Sequence, residues 1–410
     1  MRGTGNTVRS DPRTATVDQI AAEAGRGFGG RTMAGSTARG STVARVALAI
    51  SLGIAVATAS GAAPASGDAT PRSRCRPPVG YTHVDIGSLG TGFDDPVDVN
   101  DRGVVVGRSE TPDGMHVFVW RRGRMTDITP PGGSDATVAG VNDRGSVAHS
   151  WADLVAARYQ TVIWHNGRST ASISGEPVRD FNERGYVLFF DAGLWRDGRF
   201  VPISGDLGGR LLFEELGDGG HVAGVVLPPT PPGGGHPTPS TGFVWHDGVL
   251  TAAVPPPGTS FAVAVDVNRS GSVLFYAFSS SNALWHDGIT TDLGSLGGTS
   301  LVAEDINDRG QVIGEATTAS GEWHPFLWEA GTITDLHPVD GETSSVTAIN
   351  ERGEVLGSTS SDGTVVWSCG ATVSLGLGAV GVDINDRGQV LSVAFTEPGQ
   401  PMRLSTPIRG

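Results

Sequence analysis

The sequence predicts an all-β fold: a closed β-propeller of about eight four-stranded blades. Three observations carry that expectation. One motif recurs eight times along the chain, each repeat reads as four short strands, and the array opens with a strand that its last unit lacks.

The motif is Asn-(Asp/Glu)-Arg-Gly, starting at Asn100, Asn142, Asn182, Asn307, Asn350 and Asn385. Asn268-Arg-Ser-Gly is a variant and Leu216-Gly217-Asp218-Gly219-Gly220 a decayed copy. Seven intervals between Asn100 and Asn385 average about 41 residues, the size of a propeller blade. An apolar residue precedes the Asn position in every copy: Val99, Val141, Phe181, Leu216, Val267, Ile306, Ile349 and Ile384. Two residues after the motif's Gly (Gly103 in the first copy) stands a valine each time, from Val105 and Val147 to Val355 and Val390. A second landmark, Trp-x-x-Gly, falls at Trp120, Trp164, Trp195, Trp245, Trp285, Trp328 and Trp367. A short alternating run follows it, as in Ile333-Thr-Asp-Leu336.

Each unit therefore reads as strand, Asn-Gly turn, strand with the recurrent Val, strand ending at Trp, turn, and a fourth strand. Asn bonds its own backbone to start a turn, and Gly supplies the left-handed residue that closes it. The chain enters with a lone fourth strand, Tyr81 to Leu89, and its last unit, Val382 to Leu404, has only strands one to three. A ring closed by a shared blade needs this offset, whereas an open solenoid gains nothing from it. The count is eight blades, or seven if the decayed fourth unit does not form one.

The units around Ile306-Asn-Asp-Arg-Gly-Gln-Val-Ile-Gly and His324-Pro-Phe-Leu-Trp resemble the HAF family of extracellular repeats. The His-Ala-Phe triplet of that family appears here as His116-Val-Phe118 and His324-Pro-Phe326. The resemblance covers residues 81–404; units three to five lack the His and unit four the Asn. It implies secretion and a repeat architecture, and no catalytic residues.

The domain plan is an N-terminal extension and secretory signal over 1–65, a linker over 66–80, the propeller over 81–404 and a tail over 405–410. Arg39 and Arg45 precede an apolar run, Val46 to Ala57, followed by the small residues Ala57-Thr58-Ala59 and Ala63-Pro64-Ala65. That is the order of an export signal, too short to span a bilayer. A start at Met33 gives the signal ordinary proportions. The 410-residue chain carries a net charge of −14 and no Lys, which argues against nucleic-acid binding and removes lysine nucleophiles. Cys75 lies just before the lone strand and Cys369 in the Trp367-x-x-Gly370 turn of unit seven. Ring closure brings these together, so an exported chain is expected to join them in a disulfide.

No cofactor, metal site or catalytic residue is expected. Asp-x-Asn-x-x-Gly at Asp98, Asp305 and Asp383 looks like a calcium loop, but Arg stands where an oxygen ligand belongs, so it is read as a hairpin turn. His165, His246 and His286 fall in the Trp turn, and His149, His221 and His236 lie off the pattern without zinc spacing. Glu214 and Glu215, adjacent on a strand, should point to opposite faces. The Trp of each turn is expected between blades, while Trp151 and Trp323, off the register, are expected as exposed aromatics. Pro228 to Pro239 reads as a surface insertion. The expected function is that of a monomeric secreted module binding an extracellular polymer or protein. Specificity would lie in the loops Ser150–Tyr159, Pro228–Thr241 and Ala319–Trp323. The alternative is a propeller enzyme, a lyase or glycoside-active, with its site in the central channel.

Overall fold

The computed structural model describes residues 76–409, apart from 154–157, 191–192, 230–240, 256–259, 279–281, 338, 340–341, 377 and 395–400. The export signal, Cys75 and most of the proline-rich insertion lie outside the described residues. The described residues form thirty-two strands in eight antiparallel sheets of four. Blade 1 runs outward from the channel as strands a (Asp94–Val99), b (Val105–Thr111), c (Gly114–Arg121) and d (Arg124–Asp127). Blades 2 to 7 repeat that order, and the decayed unit four forms a complete blade, which settles the count at eight.

Blade 8 closes the ring. Its strands a to c come from the C-terminus (Ala379–Ile384, Val390–Ala394 and Met402–Ile408), and its strand d is the N-terminal Gly80–Asp85. That strand pairs in register from Gly80 opposite Ile408 to Asp85 opposite Arg403. The ladder continues past residue 404, so the propeller extends to Ile408 and the expected tail is mostly strand. Ser-Thr-Pro-Ile breaks the apolar alternation, and pairing with the incoming N-terminus sustains the strand instead.

One register is copied around the ring. The apolar residue before each Asn faces the recurrent Val, as Val99 faces Val105 and Ile306 faces Val312. That Val faces the Trp of strand c in each of the first seven blades, from Val105 with Trp120 to Val355 with Trp367. In blade 8, Ser405 takes the Trp place opposite Val390. Period-two geometry then puts these side chains on one face, where they meet the preceding blade, as Val99, Val105 and Trp120 meet Leu391 and Val393 of blade 8. The core is accordingly eight apolar clusters, one at each junction between blades. Five turn tryptophans are buried in them, and Trp164 and Trp195 are half-buried.

Turn chemistry fits this frame. The Gly of every Asn-Gly turn is left-handed, and Gly103, at φ 68°, abuts the Gln389 side chain of blade 8. In all seven Trp-x-x-Gly turns two successive residues are left-handed, beginning with Arg122 (φ 51°) in blade 1. This is the hairpin type whose twist matches the flanking strands.

Candidate functional site

The a strands of seven blades, with Asp218 from the turn of blade 4, line a central cavity of about 280 Å³. Three polar belts run around it. In the deepest, a strand-a carboxylate accepts from a backbone N–H of the next blade. Asp98 accepts from Val141 (2.8 Å), Asp180 from Leu216 (2.8 Å), Asp266 from Ile306 (3.2 Å), Asp305 from Ile349 (3.0 Å) and Asp383 from Val99 (3.0 Å). Gly140 and Ala348 occupy that place in blades 2 and 7. There the following residues, Phe181 and Ile384, donate instead to their own neighbours Asp180 and Asp383. Each carboxylate sits just after a β-bulge, which turns it out of its own ladder toward the adjacent blade.

The second belt is the motif Asn. Its Oδ1 accepts from N–H groups two and four residues on, forming the turn, as Asn100 does from Arg102 and Val104. Its Nδ2 donates across the junction to the carbonyl of the next turn, as Asn307 does to Asn350 (3.0 Å) and Asn385 to Asn100 (2.8 Å).

The third belt is the acidic second position of the motif, at the channel mouth. Asp101 N–H donates to Asp143 (2.9 Å), Asp143 to Glu183 (2.9 Å) and Glu183 to Asp218 (3.0 Å). The chain of bonds resumes from Arg269 through Asp308, Glu351 and Asp386 back to Asp101. Arg269 spans the gap with its side chain, 3.7 Å from Asp218 and 3.0 Å from Asp308. Seven carboxylates and one guanidinium thus ring the mouth.

Burial, with this crowding behind it, raises the titration of Glu351, Asp101 and Asp386. Burial pushes Glu351 up to about 7, with the charges of Asp308, Asp386 and Asp218 adding to it against the Asp308 N–H. Burial, then Asp143 and Asp386, raises Asp101. Burial and the charge of Asp383 hold Asp98 well above the usual carboxylate range. Away from the mouth, Glu214 is buried and accepts from Ala264 N–H (2.6 Å), and burial brings it to about 7. It lies at a bulge, where simple alternation with Glu215 fails.

Several sequence expectations are corrected or refined here. The calcium-like Asp residues are not turn formers: the Asn makes the turn and the Asp ties blades together. Trp151 is half-buried in strand b of blade 2 (Ser146–Asp153) and packs on the core between blades 1 and 2. Its ring lies so near Gly133 that a Cβ there would come within 2.8 Å. Trp323 opens strand c of blade 6 (Trp323–Glu329) opposite Thr317, and is also half-buried. Of the loop Ser150–Tyr159, Ser150 is a core hydroxyl bonded to Thr161 and Val178. The triplet histidines clamp strand c to strand d: His116 meets Asp127 at 2.8 Å and His324 meets Asp335 at 2.7 Å. His165 and His286 bond serines of their own blades, and His246 stacks on His221 at 3.9 Å.

Sequence reasoning does not reach the acidic mouth, although acid fills the second motif position in seven of eight copies. The signal was there; the ring that gives it meaning exists only when the blades close.

No family model matches the chain, and no curated protein does. Among solved structures, the β-propeller domain of the Trilobed protease from Pyrococcus furiosus is similar at 12% identity, covering 73% of this chain and 97% of that one, with a TM-score of 0.43. The Pyrococcus horikoshii acylaminoacyl peptidase is similar at 12% identity over 81% of this chain and 54% of its own, with a TM-score of 0.44. This chain therefore spans about half the length of that peptidase. The WD40 β-propeller domain of Doa1 shows 12% identity over 80% of this chain and 97% of that one, with a TM-score of 0.40. The likeness is one of fold.

Proposed function

We propose that this is an exported binding module of the HAF repeat type that engages an extracellular polymer or protein and turns nothing over. One observation carries the reading: the carboxylates that would look catalytic in the channel serve as acceptors in the inter-blade belts. Chemistry needs an asymmetric constellation held for the substrate, and these groups instead repeat from blade to blade. The sequence before residue 66 reads as an export signal, which places the partner outside the cell.

The second reading is a propeller enzyme with its site in the central channel. What favours it is Glu351, a mouth carboxylate that burial pushes up to about 7 and that accepts from the N–H of Asp308, the partner of Arg269. Purified protein from the culture medium, assayed for capture by immobilised extracellular polysaccharides and proteins and for turnover of polysaccharides, peptides and esters, separates the two. Capture without turnover is expected. Turnover abolished by Glu351→Gln would overturn the binding reading.

A further inference from the structure

The turn face carries a second concave site, away from the channel axis. Arg102 and Arg387, from the Asn-Gly turns of blades 1 and 8, and Arg121 and Arg122, from the Trp turn of blade 1, line a cavity of about 360 Å³. All four are exposed. Arg387 feels the charge of Asp101, but no ion pair joins the other three to a carboxylate among the described residues. In a chain of net charge −14, carboxylates are in surplus, yet three guanidinium groups converge here beside Arg387 without an ion pair among the described residues.

Two features make this a built site. It departs from the repeat: where blade 1 places Arg122, other Trp turns place Asn166, Asp197, Asp247, Asp287, Ala330 or Cys369. The left-handed conformation there favours Asn and Asp, so arginine is held at that place against backbone preference. The turn that carries Arg387 is also fixed, with Asn385 Oδ1 accepting from the Arg387 N–H (3.0 Å). Asn385 Nδ2 donates to Gln389 (3.0 Å), Gln389 donates to Thr406 (3.1 Å), and the Gln389 amide lies against Gly103. The cavity straddles the seam between blades 8 and 1, where the ring closes.

We infer that this cleft binds a tetrahedral oxyanion, a sulfate or phosphate ester group on a soluble ligand. The guanidinium fork offers paired N–H donors matched to such oxygens, and several forks around one cavity suit a doubly charged group. The acidic channel mouth beside it repels an extended polyanion, so a short ligand or a chain end fits best. The inference deepens the binding reading and rests on it.

The test is calorimetric titration of the mature protein at low ionic strength with inorganic sulfate, inorganic phosphate, a sulfated disaccharide, a sugar phosphate and a uronate disaccharide, with chloride as control. One sulfate or phosphate group should bind per chain, and the melting temperature should rise with its concentration because the ligand bridges the closing seam. The sulfated disaccharide and the sugar phosphate tell which ester is the natural group by which one exceeds its free ion. The double variant Arg102→Gln/Arg121→Gln should lose affinity by about tenfold or more, while Arg309→Gln, on a blade 6 turn, should bind as wild type. No binding beyond chloride, preference for the uronate, or equal affinity in the double variant would overturn the inference. Capture of a neutral polymer without oxyanion binding would defeat this site and leave the binding reading standing. Oxyanion binding lost in the double variant, in a protein that also turns over substrate, would do the reverse.

Discussion

Blade 6 carries the repeat in full and blade 4 only in part, yet both fold to the same four strands in the same register. In blade 6, Ile306 faces Val312 and Val312 faces Trp328; in blade 4, Leu216 faces Val222 and Val222 faces Trp245. What blade 4 lacks is the turn Asn. It has Gly217 where blade 6 has Asn307, so no side-chain amide reaches from its turn to blade 5, and Val267 N–H bonds its own neighbour Asp266. Compensation is apolar. The junction between blades 4 and 5 holds the largest of the eight clusters, with Phe261 stacked on Phe275 at 4.4 Å, and Arg269 closes the acidic ring by its side chain. The apolar register therefore makes a blade, while the Asn and Asp belts add strength that packing can replace.

The comparison is broken most forcefully at the shared register. Val312→Asp and Val222→Asp each bury a charge without a partner, so each should cost about 5 kcal/mol or more in urea unfolding. Tolerance of the change in blade 4 alone would show that its packing is not equivalent. Next in size is the disulfide proposed between Cys75 and Cys369. The N-terminal strand packs beside Ala371–Gly376 of blade 7, which follows Cys369, so the bond would fasten the closing strand to its neighbour. Cys369→Ser should then remove about 4–5 kcal/mol on the chain-entropy argument for so long a loop. A non-reduced digest should contain the crosslinked peptide, and two free thiols would defeat the pairing.

Smaller effects sharpen the comparison. Asn307→Ala removes turn and inter-blade bonds and should cost about 1–3 kcal/mol. The reciprocal repair, Gly217→Asn, should fail. A Cβ there would lie 2.8 Å from the backbone oxygens of Val267 and Asn268, so the strands of blades 4 and 5 lie too close for it. A stabilised Gly217→Asn protein would contradict that explanation of the decayed motif. The mildest effect is on pH. Glu214, Glu315 and Glu351 titrate near 7 in the fold against an ordinary value of 4.5, each chiefly through burial. Their stabilising contribution is full below about 4.5 and is lost as pH rises through about 7, so melting temperatures should fall between pH 5 and pH 8. Glu214→Gln should flatten part of that slope.

Most of the frame was legible because its residues recur: the Val, the Trp, the apolar-Asn pair and the stray first strand each point to one register and one closure. What could not be read was whatever depends on the neighbouring blade. Asp98 looks like part of a turn until the bulge beside it aims its carboxylate at Val141, 43 positions away. Trp151 falls outside the Trp motif and reads as free, whereas the apolar face of blade 1 covers it. The arginine cleft joins residues 102, 121, 122 and 387, which become neighbours only across the closing seam. Deviation from the repeat was the available signal for it, at Arg122, where the other turns carry Asn, Asp, Ala or Cys.

The central claim is that the channel carboxylates hold the ring together and are not reserved for a substrate. Asp180 tests it most directly. It is buried at the junction of blades 3 and 4, accepting from Phe181 N–H at 2.7 Å and Leu216 N–H at 2.8 Å. Asp180→Leu leaves both donors without that acceptor and should lower unfolding stability by about 1–3 kcal/mol per lost partner, with Asp180→Asn retaining part of it. Groups kept for function commonly strain the fold, and their removal stabilises it. A gain in stability in Asp180→Leu would therefore contradict the account.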